Sequence, residues 1–278
     1  MNLKQLIKSK RLTHIHEDSS LYINRRYFNE NFGFRNIPAV FRKAFKNKES
    51  LELWDIGQIN KIIGENKYMC ENMKREKKEF AFKDFAQRLR SGYSIYLKIP
   101  ILSDSALCQM FEVPKYFTCW YLNSQIRKPK VGRRSYLLYI GGENTATPLH
   151  QDSWEAPGWL YLFKGTKIWF FYPSCLNSKI SKNVEGYDLP QILSSKNDLD
   201  KVGKPLYCVQ RPGDLVFIPP SSFHAVINIE PTIAITDNFI NEIGYENVVS
   251  HFKYNYSKKS CQSLRGVINE GFKKLCHD

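Results

Sequence analysis

The sequence has no paired-cysteine pattern. Its seven cysteines, Cys70, Cys108, Cys119, Cys175, Cys208, Cys261 and Cys276, are odd in number and include no Cys-x-x-Cys. That argues against a disulfide framework and against a cysteine zinc site, and reduced thiols are expected. Acid is also scarce: 27 Asp and Glu stand against 41 Lys and Arg, a formal net charge of +14. Such an excess favours partners that carry phosphates, acidic side chains or anionic head groups, and says nothing of the fold. Long apolar runs are missing too. The longest uncharged one, Leu215 to Ile229, is broken by Pro219, Pro220 and His224, so no membrane-spanning helix is expected. At the N-terminus lysines 4, 8 and 10 interrupt the stretch a signal peptide would need. The expected location is therefore cytoplasmic or nuclear rather than secreted.

No repeat of 20 to 50 residues and no Pro/Gly/Ser linker divides the chain, which predicts one domain with decorated ends. With 42% hydrophobic residues a substantial core is available. Three zones differ in pattern. Residues 1–134 hold charge runs such as Lys74-Arg75-Glu76-Lys77-Lys78 and two stretches of helical spacing, Leu53, Ile56, Ile59 to Ile63 and then Phe82, Phe85, Leu89. This zone is expected to be mostly helical and to pack on the core. Residues 135–241 change to short β-branched and aromatic runs bounded by Gly, Pro and Asn: SYLLYI, GWLYLF, KIWFFY, DLVFIP, HAVINI and TIAITDNFI. Closely spaced short strands of this kind predict an antiparallel barrel or sandwich, with a cupin-like jelly roll among the candidates. Residues 242–278 place Cys261, Leu264, Val267, Ile268, Phe272 and Leu275 at helical spacing, a terminal amphipathic helix set against the core or a second subunit.

His150-Gln151-Asp152 sets an imidazole and a carboxylate two residues apart, which on a strand turns both to one face. The pattern alone is weak, and a second copy, His16-Glu17-Asp18 with His14 nearby, lies in a polar stretch with no alternation to suggest a strand. That copy is expected to be idle. The first gains weight from a block further along the chain: Gly213-Asp214, the apolar Leu215 to Ile218, then Pro219, Pro220, Ser221, Ser222, Phe223 and His224, a turn, a buried strand, a proline stop and a histidine. Two histidines and one carboxylate leave three positions open on an octahedral iron, as in non-haem Fe(II) oxygenases.

With these residues in view, the sequence resembles the JmjC family of 2-oxoglutarate oxygenases, in its small-hydroxylase branch rather than among the large histone demethylases. The resemblance covers about 135–241 and rests on three blocks: Thr147-Pro148-Leu149-His150-Gln151-Asp152, Gly165-Thr166-Lys167, and Gly213-Asp214 through His224 to Thr236-Asp237-Asn238-Phe239. Fainter support comes from Arg35 to Val40 and from Tyr96-Leu97-Lys98. It implies a double-stranded β-helix core, mainly β with helical decorations. It implies Fe(II) on His150, Asp152 and His224, 2-oxoglutarate as cosubstrate with its far carboxylate on Thr147 and Lys167, Asn238 near metal and cosubstrate, and O2 as oxidant. Two departures stand out: Phe223 where tryptophan is more usual, and Pro219-Pro220-Ser221-Ser222 in place of a glycine-containing turn.

An antiparallel hairpin turning near Pro231 would set His224 opposite Asn238, Val226 opposite Thr236 and Asn228 opposite Ala234, a small polar face backed by apolar Phe223, Ala225, Ile227 and Ile229. Lys167, among aromatic residues, needs an anion if it points inward. Trp159 and Trp169 are expected in the core and Trp154 at the substrate mouth. The resemblance implies hydroxylation of a C–H bond, on a Lys, Arg or Asn side chain of a protein or peptide. The alternatives are RNA, a small molecule, or a metal-binding cupin scaffold without turnover. The basic residues Arg127, Lys128, Lys130, Arg133 and Arg134 could guide an acidic macromolecule or RNA, and terminal helices in similar proteins suggest a homodimer.

Overall fold

The computed structural model describes residues 8, 12–19, 23–44, 48–102, 106–126 and 135–275. Its strands in chain order are β1 (His16–Ser19), β2 (Ala39–Arg42), β3 (Lys67–Asn72), β4 (Lys77–Ala81), β5 (Ile95–Leu102), β6 (Ser135–Gly141), β7 (Ala146–His150), β8 (Gly158–Lys164), β9 (Lys167–Tyr172), β10 (Leu206–Gln210), β11 (Leu215–Ile218), β12 (Phe223–Asn228) and β13 (Thr232–Asn238). They form a nine-stranded major sheet ordered β1-β2-β11-β8-β13-β6-β5-β3-β4 and a four-stranded minor sheet ordered β10-β9-β12-β7. From β6 onward the chain crosses between the sheets at nearly every step and leaves four of those eight strands in each. This is the double-stranded β-helix that the resemblance implies and one of the candidates of the strand pattern, a jelly roll whose sheets share one interior.

Alternation explains what lies on each side. Leu160, Leu162, Trp169, Phe171, Val216, Ile218, Val226 and Ala234 fill the interior between the sheets. The outer face of the minor sheet turns Phe170, Tyr172, Phe223, Ala225 and Ile227 toward Ile180, Ile192 and Val202 of the helices Asn177–Asn183, Leu189–Ser194 and Lys196–Val202. Phe223 belongs to this outer face, so having phenylalanine there alters packing and not the metal ligands. Trp159, 1% exposed, lies behind the major sheet and Trp169, 2% exposed, inside the barrel.

Two turn blocks acquire a structural meaning. Gly165 has φ +76, and a Cβ there would stand 2.1 Å from the Pro231 carbonyl oxygen, so only glycine fits where the β8–β9 turn meets the β12–β13 corner. That turn starts β9 with Lys167 facing inward. Asp214 follows Gly213, whose φ is +86. Its carboxylate accepts from Arg42 Nη1 (2.6 Å) and from the Arg211 amide (2.9 Å), tying β11 to β2.

The expected β12–β13 hairpin does not form. β12 pairs with β7 and β9, and β13 pairs with β6 and β8 in the other sheet. All six residues of β12 are buried, both its edges are taken by β7 and β9, and its corner is instead stitched to the β8–β9 turn. There the Ile229 amide donates to Thr166 O (2.9 Å) and Thr166 Oγ1 donates to Glu230 (2.6 Å). The first 134 residues also differ from expectation. The helices Ile56–Ile63 and Phe82–Arg90 are present, but β1 to β5 are woven among them and extend the major sheet at both edges. The second His-x-Asp copy lies on one of these strands, β1.

At the other end, the helix Lys258–Leu275 buries Cys261, Leu264, Val267, Ile268 and Gly271. Gly271 meets the Trp120 carbonyl, and the Phe272 ring lies 4.7 Å from that of Trp120. The apolar stripe is thus covered largely within the chain, with Phe272 at its rim, 44% exposed. Among the described residues no helix is long and apolar enough to cross a membrane.

Candidate metal centre

His150 ends β7, and His224, the second residue of β12, is its direct cross-strand partner. Their rings lie 4.3 Å apart. Asp152 lies past the end of β7 rather than on it, capping the turn Ser153–Glu155 with φ −67 and ψ 158. The backbone there is still extended, so the two-residue alternation carries its carboxylate to the side of His150. Asp152 Oδ1 stands 3.7 Å from His150 Nε2 and 3.8 Å from His224 Nε2. One donor atom from each of the three residues falls within 4.8 Å of the others, and among the described residues this is the one such cluster of His, Cys, Asp and Glu.

The donors are oriented from behind. His150 Nδ1 donates to Pro148 O (2.8 Å) and His224 Nδ1 to Ser222 O (3.1 Å), leaving both Nε2 lone pairs facing Asp152. Burial, and after it the neighbouring His224, pushes the His150 pKa well below its ordinary value and keeps the ring in the neutral form a metal requires. Asn238, at the end of β13, donates from Nδ2 to Asp152 Oδ2 (2.9 Å). It fixes the carboxylate from the opposite sheet. Gly158 makes room, since a Cβ there would lie 3.0 Å from both Asn238 Nδ2 and Asp152 Oδ2. Two imidazoles and one carboxylate on one side, with the other side facing a cavity, suit a divalent first-row metal such as iron.

That cavity is lined by Tyr96, Lys98, Tyr139, Thr147, Lys167, Trp169, Val226 and Thr236 as well as the three donors. Lys167 is fully buried, and Nζ donates to Asn228 Oδ1 at 2.7 Å. Among the described residues no carboxylate pairs with it, and desolvation pulls its pKa down to about 7. A buried amine whose charged form finds a neutral amide and the Tyr96 ring but no carboxylate is a site prepared for an anion, which would restore its proton. Thr147, on β7 between this lysine and the donors, has Oγ1 3.1 Å from Lys98 Nζ. The carboxylate end of 2-oxoglutarate fits this donor set. Pairing supplied what sequence spacing could not: Asn228 lies directly across from Lys167, and no motif marked it.

The mouth is built differently. Trp154 and Glu155 follow Asp152 with φ +61 and +56, and Ser221 has φ +54. Ser221 stands in the turn where a glycine is more usual and adopts the left-handed conformation glycine would have taken freely. Hydrogen bonds hold it there. Its amide donates to Glu155 O (3.1 Å), its hydroxyl to Glu155 Oε2 (2.6 Å), and its carbonyl accepts from Gln151 Nε2 (2.9 Å) and Asn177 Nδ2 (2.8 Å). Trp154 and Glu155 line an open cleft with Gln151, Asp152, Glu185, His251 and Tyr256. Trp154 is half-buried near the metal ligand, its ring edge-on to those of Tyr121 and Phe252. Arg127, Lys128, Lys130, Arg133 and Arg134 lie outside the described residues.

A family profile for the JmjC domain, described as a hydroxylase, matches residues 137–239. These residues are a JmjC domain. The matched segment contains the three donors, Thr147, Lys167 and Asn238. Relatives align well beyond the JmjC segment. The 2-oxoglutarate and iron-dependent oxygenase JMJD4 of Mus musculus is 24% identical, over 87% of this chain and 63% of its own length. The JMJD4 homolog of Drosophila melanogaster is 29% identical over 89% of this chain and 51% of its own. The arginine-specific demethylase JMJ22 of Arabidopsis thaliana is 24% identical over 87% and 50%. The chain therefore spans about half to under two thirds of these relatives, and the JmjC segment is the part in which the metal donors lie.

Proposed function

We propose that the protein is an Fe(II)- and 2-oxoglutarate-dependent dioxygenase that hydroxylates a C–H bond on a Lys, Arg or Asn side chain of a protein or peptide. The observation that carries this reading is a convergent His150–Asp152–His224 donor set opening onto a cavity whose deep end holds an anionless buried lysine. The relatives' names point the same way: two are called 2-oxoglutarate and iron-dependent oxygenases, and another an arginine-specific demethylase. When bound, iron, 2-oxoglutarate and O2 supply the oxidising chemistry, in which the cosubstrate becomes succinate and CO2 while a substrate C–H becomes C–OH.

The chain's own residues do the rest. His150, Asp152 and His224 hold the metal from one side and leave the cavity side for exchangeable ligands. Asn238 keeps the Asp152 carboxylate turned toward it. Lys167 and Thr147 receive the far carboxylate, which fixes the direction in which the cosubstrate lies. Apolar Leu160, Trp169, Ile218 and Val226 exclude water around it. The substrate enters at the cleft beside Trp154. A cytoplasmic or nuclear location belongs to this reading, as does a protein partner.

The test is to load the full chain anaerobically with Fe(II), add 2-oxoglutarate and O2, and measure succinate, with and without a peptide array. Succinate formation together with a peptide gaining the mass of one oxygen supports the proposal. Metal binding with no succinate under any condition leaves only a cupin scaffold. Turnover stimulated by RNA or free amino acids and by no peptide would move the substrate to that class.

A further inference from the structure

The minor sheet arranges its inner face in rows. His224 pairs with His150 on one side and Phe171 on the other; one row deeper Val226 pairs with Thr147 and Trp169; one row deeper again Asn228 pairs with Lys167. Each row advances about 6.6 Å along the strand, so Thr147 stands between the metal donors and the buried lysine. A second ammonium reaches this middle row from the opposite sheet. Lys98 lies on β5 directly across from Tyr139, and its Nζ is 3.1 Å from Thr147 Oγ1, 4.9 Å from the Tyr96 ring centroid and 5.3 Å from that of Tyr139. Lys98 as a residue is exposed, with its ammonium end lodged against these rings, where partial desolvation lowers its pKa. Among the described residues no carboxylate lies within ion-pairing distance of Lys98 or Lys167. Two lysines without carboxylate partners therefore line one cavity with Thr147, Lys98 against its hydroxyl and Lys167 one row deeper. β5 lies outside the JmjC match at 137–239.

We propose that Lys98 is a second cation for the far carboxylate of the cosubstrate, acting beside Thr147 in the cavity that Lys167 also lines, so that the pair selects a dianionic keto acid over a monoanionic one. This rests on the oxygenase reading above. A lone lysine neutralises one carboxylate charge; a second lining the same cavity would supply a further charge-assisted bond. Lys98 gives up an interaction only with Thr147 and two ring faces when the anion arrives, so little is lost in the exchange.

The experiment measures binding rather than turnover. The 278-residue chain is loaded with Mn(II) in place of iron, and calorimetry gives Kd for 2-oxoglutarate and for 2-oxopentanoate, which keeps the metal-chelating end and replaces the far carboxylate with a methyl group. Wild type, Lys98→Met, Lys98→Arg and Lys167→Met are compared, with Lys98→Gln as substitute if the methionine variant does not fold. The expected result is a rise in Kd for 2-oxoglutarate of about tenfold or more in Lys98→Met, a change of under about twofold for 2-oxopentanoate, and substantial recovery in Lys98→Arg. An unchanged Kd for 2-oxoglutarate, or an equal loss for both ligands, overturns the assignment. Should Lys167→Met weaken 2-oxoglutarate while Lys98→Met does not, this inference falls and the oxygenase reading stands. If the wild-type protein binds neither ligand, both fall.

Discussion

The molecule carries the same tripeptide pattern twice, and the two copies have different fates. In His16-Glu17-Asp18 the imidazole Nε2 lies 3.9 Å from the carboxylate, almost the 3.7 Å found in His150-Gln151-Asp152. Both copies begin on a strand residue. The difference lies in what surrounds the pair. β1 is an edge strand whose one neighbour, β2, sets Ala39 beside His16, and Asp18 is engaged by the Tyr27 hydroxyl (2.8 Å). β7 is likewise an edge strand, but its neighbour β12 sets His224 beside His150, and Asn238 reaches Asp152 from across the barrel. A two-residue motif therefore supplies two donors, and the strand pairing decides whether a third arrives.

That comparison can be broken most severely at the donors. His150→Ala, Asp152→Ala and His224→Ala should each bring metal binding and succinate formation below detection, whereas His16→Ala and Asp18→Ala should leave both at the wild-type level. Anomalous retention of iron by any of the first three, measured by metal analysis after desalting, would contradict the assignment.

A smaller effect is expected deeper in the barrel. Lys167→Met should weaken 2-oxoglutarate binding by about 1.5 to 3 kcal/mol, roughly 10- to 150-fold, while leaving metal affinity nearly intact. The same lysine predicts a pH signature. Its folded pKa, about 7, lies below the ordinary 10.5, so between those values the unfolded chain holds a proton that the folded chain does not. Unfolding then takes up a proton, and the ligand-free protein should gain stability as pH rises through this window, by more than Lys167→Met does. Chemical denaturation at pH 7 and pH 9 on both proteins checks the sign.

The mildest change sharpens the comparison from the carboxylate's side. Asn238→Ala removes the one amide that holds Asp152 Oδ2 and should cost about 10- to 100-fold in metal affinity or activity. If titration with Mn(II) gives identical affinities for wild type and variant, Asp152 is oriented by its backbone alone, and the contrast with Asp18 weakens accordingly.

Much of the barrel is legible in the amino-acid pattern by itself. The short, nearly continuous apolar runs mark the jelly-roll strands, because burial on both sides of a strand demands β-branched and aromatic residues in short stretches. The donors are legible as types and spacings. Strand pairing is not. A hairpin between β12 and β13 satisfies every local rule, and it fails because β7 and β9 take both edges of β12 while β13 joins the other sheet, a long-range pairing that no local window contains. β10, Leu206–Gln210, also escapes notice, since Gln210 breaks the apolar run; that glutamine is buried, with Nε2 donating to Leu160 O and Asp214 O. The strands β1 to β5 are hidden by charge, as in Lys77-Lys78-Glu79, which suits an exposed edge strand and reads like a helix surface.

The serine in the turn before β12 has a mechanical consequence. A left-handed serine stores about 1 kcal/mol or more that a glycine would not, and the bonds that balance this strain run to Gln151 and Glu155 on the segment after β7 and to Asn177 on a second stretch of chain. Releasing any one of them lets the turn relax and so weakens the others. The rim of the cleft should therefore behave as a latch with two positions rather than as a compliant loop. Amide hydrogens of Glu155 and Ser221 would then exchange with solvent at one common rate, and Ser221→Gly would turn that shared rate into two.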